Sequence, residues 1–200
     1  AYSNMGNALK DQGKLDEAIE VYNKALSLKP DNIEFYNNLG ITLNNMGRLD
    51  EAEASLSQAI FLSSQDAEVH NNLGNTLKEL GRLEEAEVSL RQAILFKPEY
   101  IDAMINLSLV LDFMNDLESA NLELQKVLQI NDDNQGLRAR VLLAINNFLQ
   151  GNFEESKRLL LVSSRIQQNT SVMYKNEILY HRYLLKILEF HEHKSFASAN

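Results

Sequence analysis

Apolar residues recur along this chain at helical spacing. Tyr36, Leu39, Gly40 and Leu43 fall at i, i+3, i+4 and i+7, and Ala52, Leu56, Ala59 and Ile60 form a second stripe. Each stripe predicts an amphipathic helix with one buried face. The pair of stripes then returns. Gly6, Gly40 and Gly74 stand 34 residues apart, as do Gly13, Gly47 and Gly81, then Ala18, Ala52 and Ala86, then Ala25, Ala59 and Ala93. Ser108, Asn115, Ala120 and Val127 mark a fourth copy in register. A fifth arrives two residues late, Gly151 following Asn115 by 36, and the extra residues are placed in the polar stretch 131–136. A period of this length predicts helix pairs that each cover the next, rather than one central core.

Each recurring position has a physical reason. Two antiparallel helices that pack closely need small residues where they cross. Gly6/Ala18, Gly40/Ala52, Gly74/Ala86, Ser108/Ala120 and Ala144/Ser156 supply them. The glycine between the helices suits a left-handed residue that ends the first helix, and Asn115 is the other residue type that tolerates this conformation. Pro30 and Pro98 follow the second helix and stop it. Leu15, Leu49, Leu83, Leu117 and Phe153, two residues after the turn, are expected to be buried between layers. Asn147 interrupts the apolar stripe of the fifth unit. Beyond Thr170 the pattern changes. Residues 171–193 read as one long helix without the mid-unit glycine, with Tyr180, Tyr183, Leu184, Ile187 and Leu188 on one stripe.

The series Tyr2-Met5-Gly6-Leu9-Ala18-Tyr22-Ala25-Pro30 resembles the tetratricopeptide repeat family, as does His70-Leu73-Gly74-Leu77-Ala86-Leu90-Ala93-Pro98. Tyr36-Leu39-Gly40-Leu43-Ala52-Leu56-Ala59 follows the same pattern with Ser64 in place of proline. The fourth unit (Met104, Leu107, Ser108, Leu111, Ala120, Leu124, Val127) and the fifth (Leu143, Ala144, Gly151, Ser156, Leu160) are degenerate. The resemblance covers roughly residues 1–168. It implies an all-α fold: a right-handed superhelical solenoid of about five helix–turn–helix units, at about 1–32, 33–66, 67–100, 101–134 and 137–170. The helix at 171–193 would cap its C-terminal end, and 194–200 would be a tail or linker.

Composition narrows the functional classes. The net charge is −9 with a pI near 5.0, which argues against nucleic acid and anionic membrane surfaces. No cysteine is present, so disulfides and thiolate metal sites are excluded. No apolar run reaches the roughly 18 residues of a membrane span. The chain opens without Met and in mid-repeat, so it reads as a fragment or processed form. No signal-peptide pattern is visible, an absence that means little in a fragment; a cytoplasmic location is the expectation.

No catalytic constellation is visible: GxSxG, P-loop, GxGxxG and HExxH motifs are all missing. His70 takes the aromatic core position of unit three. His191 and His193 are two apart and would point about 200° apart on a helix. The carboxylate pairs Asp16-Glu17, Asp50-Glu51 and Glu84-Glu85 recur at the start of each second helix, where they suit the positive end of the helix dipole. The chain is therefore read as a non-enzyme with no cofactor and no metal.

In the family that this chain resembles, the first helix of each unit lines a concave groove, and the residue two before the signature glycine faces it. Here those residues are Asn4, Asn38, Asn72 and Asn106, with Asn7 and Asn75 one after the glycine, and Asn37 and Asn71 beside the row. Asn is a poor helix former, and its amide both donates and accepts. Such a row can pair with the backbone of an extended peptide. It resembles the asparagine ladder of O-linked N-acetylglucosamine transferase. The competing reading has these residues tying adjacent units together. A carboxylate clamp of the family's kind is rejected, because Asn7 and Asn38 match it but Ser3, Glu68 and Asn72 occupy its basic positions. The expected function is a protein-interaction scaffold that binds an extended peptide or partner protein in its groove. The alternative is a substrate-recruiting arm of a larger transferase-type enzyme whose catalytic domain lies outside this chain. Glu34, Glu68 and Asp102 near the groove entrance point to a basic or neutral peptide. End-to-end homo-oligomers are also expected, with Phe61 and Leu95 adding apolar surface.

Overall fold

A computed structural model describes residues 2–130 and 134–167. The expected capping helix at 171–193 and the tail at 194–200 lie outside the described residues. Those residues form ten helices and no strand. They are α1 (Tyr2–Asp11), α2 (Leu15–Leu28), α3 (Ile33–Asn45), α4 (Leu49–Leu62), α5 (Ala67–Glu79), α6 (Leu83–Phe96), α7 (Ile101–Phe113), α8 (Leu117–Ile130), α9 (Asn134–Leu149) and α10 (Phe153–Gln167). The odd-numbered helices are the first (A) helices of the repeats, and the even-numbered ones are the second (B) helices. Among the described residues, no helix is long and apolar enough to cross a membrane.

Local chemistry sets the ends of these helices. Gly13, Gly47, Gly81 and Gly151 take φ between 74° and 80°, and Asn115 takes φ 62°. At each glycine the next amide reaches back to close the helix: Lys14 to Leu9, Arg48 to Leu43, Arg82 to Leu77 and Asn152 to Asn147. This is the six-to-one bond of a left-handed C-cap. At the other end, Asn32 accepts from the Phe35 amide at 2.9 Å, and Asp66 accepts from the amides of Glu68 and Val69, satisfying donors that a helix leaves open.

The chain divides after Asn115 into two compact units. The division falls between the two helices of the fourth repeat. In the first unit each helix packs on the next. The A helices also pack on one another, α1 on α3, α3 on α5 and α5 on α7, whereas no B helix packs comparably on a B helix. The A side of this stack is therefore its short, concave side and the B side its long one.

The crossings are as tight as the small residues require. A Cβ built on Gly40 would lie 2.6 Å from Leu56 Cγ, and one on Gly74 would lie 2.6 Å from Leu90 Cγ. Ala18, Tyr22, Ala52, Leu56, Ala86 and Leu90 are fully buried. Leu15, Leu49 and Leu83 are only half-buried, because each stands at the start of a B helix, on the open rim of its layer.

In the second unit α8 packs on α9 and α9 on α10. Ser156 Oγ donates to the Ala144 carbonyl at 2.8 Å, which places that crossing as expected. Phe153 is exposed rather than buried between layers; its ring meets Phe148 edge-on at 5.4 Å. The late arrival of the fifth repeat is absorbed in a longer A helix. α9 has 16 residues where α7 has 13, starting within the polar stretch.

Candidate peptide-binding face

On the A helices α3, α5 and α7, a hydrogen-bond chain links the candidates Asn72 and Asn106 with Asn37 and Asn71. Asn106 donates to Asn71 Oδ1 at 2.9 Å, and Asn71 donates to Asn72 Oδ1 at 3.4 Å. Asn72 donates to Asn37 Oδ1 at 2.8 Å, and Asn37 donates to Glu68 Oε1 at 3.1 Å. Two of these bonds, Asn72 to Asn37 and Asn106 to Asn71, join neighbouring repeats with a sequence offset of 35. These asparagines thus tie neighbouring units together. Each amide has two N–H groups, and the chain uses one from each member.

The rows differ from repeat to repeat. Asn38 is 9% exposed, and its amide has no side-chain partner among the described residues. The counterpart of Asn37 one repeat earlier is Ser3, whose hydroxyl donates to Glu34 as Asn37 donates to Glu68. Asn4 is exposed. Asn7 accepts from the Tyr22 hydroxyl at 2.6 Å, and Asn75 accepts from Lys78 Nζ at 2.8 Å. Thr42 and Thr76, buried one turn on, cap the carbonyls of Asn38 and Asn72, and Asn44 bridges to Thr76 at 3.1 Å across a repeat boundary. His70 is half-buried. Its Nε2 donates to the Ser64 carbonyl at 3.0 Å, and its ring tilts against Phe96 at 5.5 Å. It therefore fills the junction between α4 and α6 rather than the asparagine face.

Acidic groups gather where the A helices begin. Burial first, and then the carboxylates of Glu68, Asp102 and Asp66, pushes the Tyr100 hydroxyl up to about 12. Burial also raises the Asp112 carboxyl above its usual range. Among the described residues no group of histidine and carboxylate side chains could hold a metal ion.

On the B side the helices splay apart. A cleft of about 320 Å³ opens between α2 and α4, lined by Ile19, Asn23, Tyr36 and Arg48 among others. In the next wedge Glu53 stands where Ile19 does, and Arg82 bridges α6 to α4 through it at 2.6 Å while also holding Glu85. Among the described residues Arg48 holds only Glu51. These arginines pair with carboxylates at the acidic starts of the B helices.

The Asn rows and a tie between adjacent units were both legible in the sequence, but not which asparagines pair. The signal was present, since Asn37 and Asn71 are identical neighbours of Asn38 and Asn72. Their 35-residue pairing needs the stagger between stacked A helices.

A TPR repeat model matches residues 6–47 and 43–81, and a tetratricopeptide repeat model matches residues 67–100. No curated protein matches the chain significantly. Among solved structures, MamA superposes with a TM-score of 0.74 at 26% identity, covering 82% of this chain and 95% of its own. PilF of Pseudomonas aeruginosa superposes with a TM-score of 0.79 at 22% identity, covering 96% and 85%. YrrB, described as a TPR protein with an unusual peptide-binding site, has a TM-score of 0.69 at 19% identity, covering 92% and 90%. At these identities PilF and YrrB speak to the fold alone. Matched by model over residues 6–100, this chain carries tetratricopeptide repeats within an all-α helical-repeat fold.

Proposed function

We propose that the chain is a protein-interaction scaffold whose A-helix face binds an extended segment of a partner protein along Asn4, Asn38, Asn72 and Asn106, with Asn7 and Asn75 at its side. The observation that carries this reading is the amide chain itself. Its members hold one another in fixed orientation and still retain one N–H each, while Asn38 has both. Preorganised donors lose little freedom when a ligand arrives. Backbone N–H and C=O groups of an extended strand are the natural partners of such a row. Each contact contributes about 0.5–1.5 kcal/mol, so affinity from these contacts alone is modest and weakly dependent on sequence. The acidic starts of the A helices favour a neutral or basic segment. That YrrB is described as having a peptide-binding site supports a peptide partner as a general mode for such repeats.

The test uses peptides selected on the full chain from a random phage-displayed library, labelled and titrated by fluorescence polarisation. Replacing Asn38, Asn72 and Asn106 together by Ala is expected to weaken the selected peptides while circular dichroism stays that of the wild type. Unchanged binding to a folded triple variant would place the site elsewhere.

A further inference from the structure

The outer side of the B helices carries a second surface, independent of the asparagine face. Phe61 on α4 is 82% exposed, and Val88 and Leu95 on α6 are 62% and 67% exposed. Their positions are ordered. Ala54 and Phe61 are seven residues apart on α4, Val88 and Leu95 are seven apart on α6, and the two pairs share one repeat register. Seven residues make two helical turns, so each pair lies on one face about 10 Å apart. The repeat sets the two faces side by side. The island has an edge, since the same registers hold Glu20 and Ser27 on α2. An exposed apolar surface with polar surroundings marks an interaction site more often than a chance cluster does.

Charge defines the rest of the surface. Toward the starts of α4 and α6 stand Asp50, Glu51, Glu53, Glu84, Glu85 and Glu87. Arg48, Arg82 and Arg91 are all engaged there, with Glu51, with Glu53 and Glu85, and with Glu87. Asp50 and Glu84 are exposed and have no cation within ion-pair distance among the described residues. The surface is thus apolar at one end and acidic at the other. The Arg82–Glu53 bridge ties its two helices together.

We propose that this outer face docks an amphipathic helix of a partner protein whose polar side is basic. A helix laid along α4 and α6 offers apolar anchors at i, i+3 or i+4, and i+7. Their two-turn rise equals the spacing from Ala54 to Phe61 and from Val88 to Leu95. Asp50 and Glu84 select for cations and disfavour both an anionic membrane and a second copy of this chain, which carries −9. An antiparallel approach sets the last turn of the incoming helix over these carboxylates. Lys or Arg in that turn then satisfies both the surface and its own helix dipole.

The probe is a fluorescein-labelled helical peptide of about 18 residues, about five turns, with leucines at i, i+3, i+4 and i+7 and lysines on its polar side. A twin carries glutamate at every lysine. The variant Phe61→Ser with Leu95→Gln installs the residue types that stand in this register on α2 and α8, Ser27 and Gln129. The lysine peptide is expected to bind the full chain and to lose about tenfold or more in affinity to this variant, equivalent to about 1.4 kcal/mol. Its binding should be untouched by Asn38→Ala, Asn72→Ala and Asn106→Ala, and the glutamate twin should not bind. Val88→Gln alone, checked by melting curve, provides a second variant if the first unfolds. Equal binding to wild type and folded variants overturns the proposal, as does equal binding of both peptides. A wild-type dimer that Phe61→Ser with Leu95→Gln turns into monomers overturns it in favour of self-association. Loss of binding to phosphatidylserine vesicles in that variant overturns it in favour of a membrane.

Discussion

Gly40→Ala probes the helix crossing directly. A Cβ at this position would lie 2.6 Å from Leu56 Cγ, 2.9 Å from Leu56 Cδ2 and 3.3 Å from the Ala52 carbonyl oxygen. Carbon atoms pack comfortably at about 3.5–4.0 Å, so the helices must part by nearly an ångström. Leu56 is fully buried and cannot swing into solvent, and the Ala52 oxygen belongs to the backbone of α4. Overpacking of this kind costs about 1–3 kcal/mol, partly offset by roughly 1 kcal/mol of better helix propensity in α3. The net loss is small, so a cycle with Leu56→Ala gives the sharper reading. That change alone costs about 2–5 kcal/mol as a cavity. In its background the obstructing atoms are gone, and Gly40→Ala should become stabilising. The coupling between the two sites is then about 1–3 kcal/mol. Urea and thermal unfolding followed by circular dichroism measure it, with 1 kcal/mol worth about 2–4 °C at this chain length. Gly47→Ala serves as the control. Nothing lies within 4 Å of its Cβ, but φ is +75°, so it should cost about 1–2 kcal/mol whatever stands at position 56. If Gly40→Ala has the same effect in both backgrounds, the crossing does not depend on this contact and the reasoning fails.

The other predictions concern the rest of the repeat framework. Asn72→Ala and Asn106→Ala each remove an inter-repeat bond worth about 0.5–1.5 kcal/mol, so both should lower the melting temperature. Asn38→Ala, which removes no internal side-chain bond, should leave it unchanged or raise it. Asn115→Gly should be neutral or stabilising by a few tenths of a kcal/mol, because φ 62° suits glycine better. Burial, then Asp11 and Glu34, pushes the Tyr22 hydroxyl from 10 up to about 12. Folding therefore favours the neutral phenol: its contribution is complete below pH 10 and is lost as pH rises from 10 toward 12. Tyr22→Phe should flatten that alkaline limb in a stability-against-pH series, at the expense of the bond to Asn7.

Much of the fold was legible because its determinants are local. The turn glycines and Asn115 stand at the left-handed positions that a helix end demands; one spacing predicted four of the five, and Gly151 follows two residues late. The Gly/Ala and Ala144/Ser156 crossings followed from size alone. Features that depend on how helices sit across a repeat boundary were not legible. The Asn72–Asn37 and Asn106–Asn71 bonds need the stagger of the A helices, which no single repeat encodes. The exchange of Ile19 for Glu53 reads as an ordinary surface difference, yet it leaves one wedge open and the next bridged. Leu15, Leu49 and Leu83 carry the apolar character of a core position but stand on the rim of their layers. Nothing in the repeat pattern marks the division after Asn115, since the turn there keeps its register. For the candidate face, the asparagine positions and the idea of a tie between units were legible, and the pairing of each asparagine was not.

The amide chain on the A helices has a polarity, and one residue sets it. Glu68 offers only lone pairs when ionised. Asn37 must therefore turn its nitrogen toward Glu68 and its oxygen toward Asn72, and the same orientation passes through Asn72 and Asn71 to Asn106. Four carboxamides on three helices behave as a row of toggles thrown the same way. Replacement of Glu68 by glutamine, whose amide donates as well as accepts, releases the last toggle and lets the others turn over without any backbone movement. A change of side chain at the start of α5 is thereby registered on α7 as a swap of donor for acceptor.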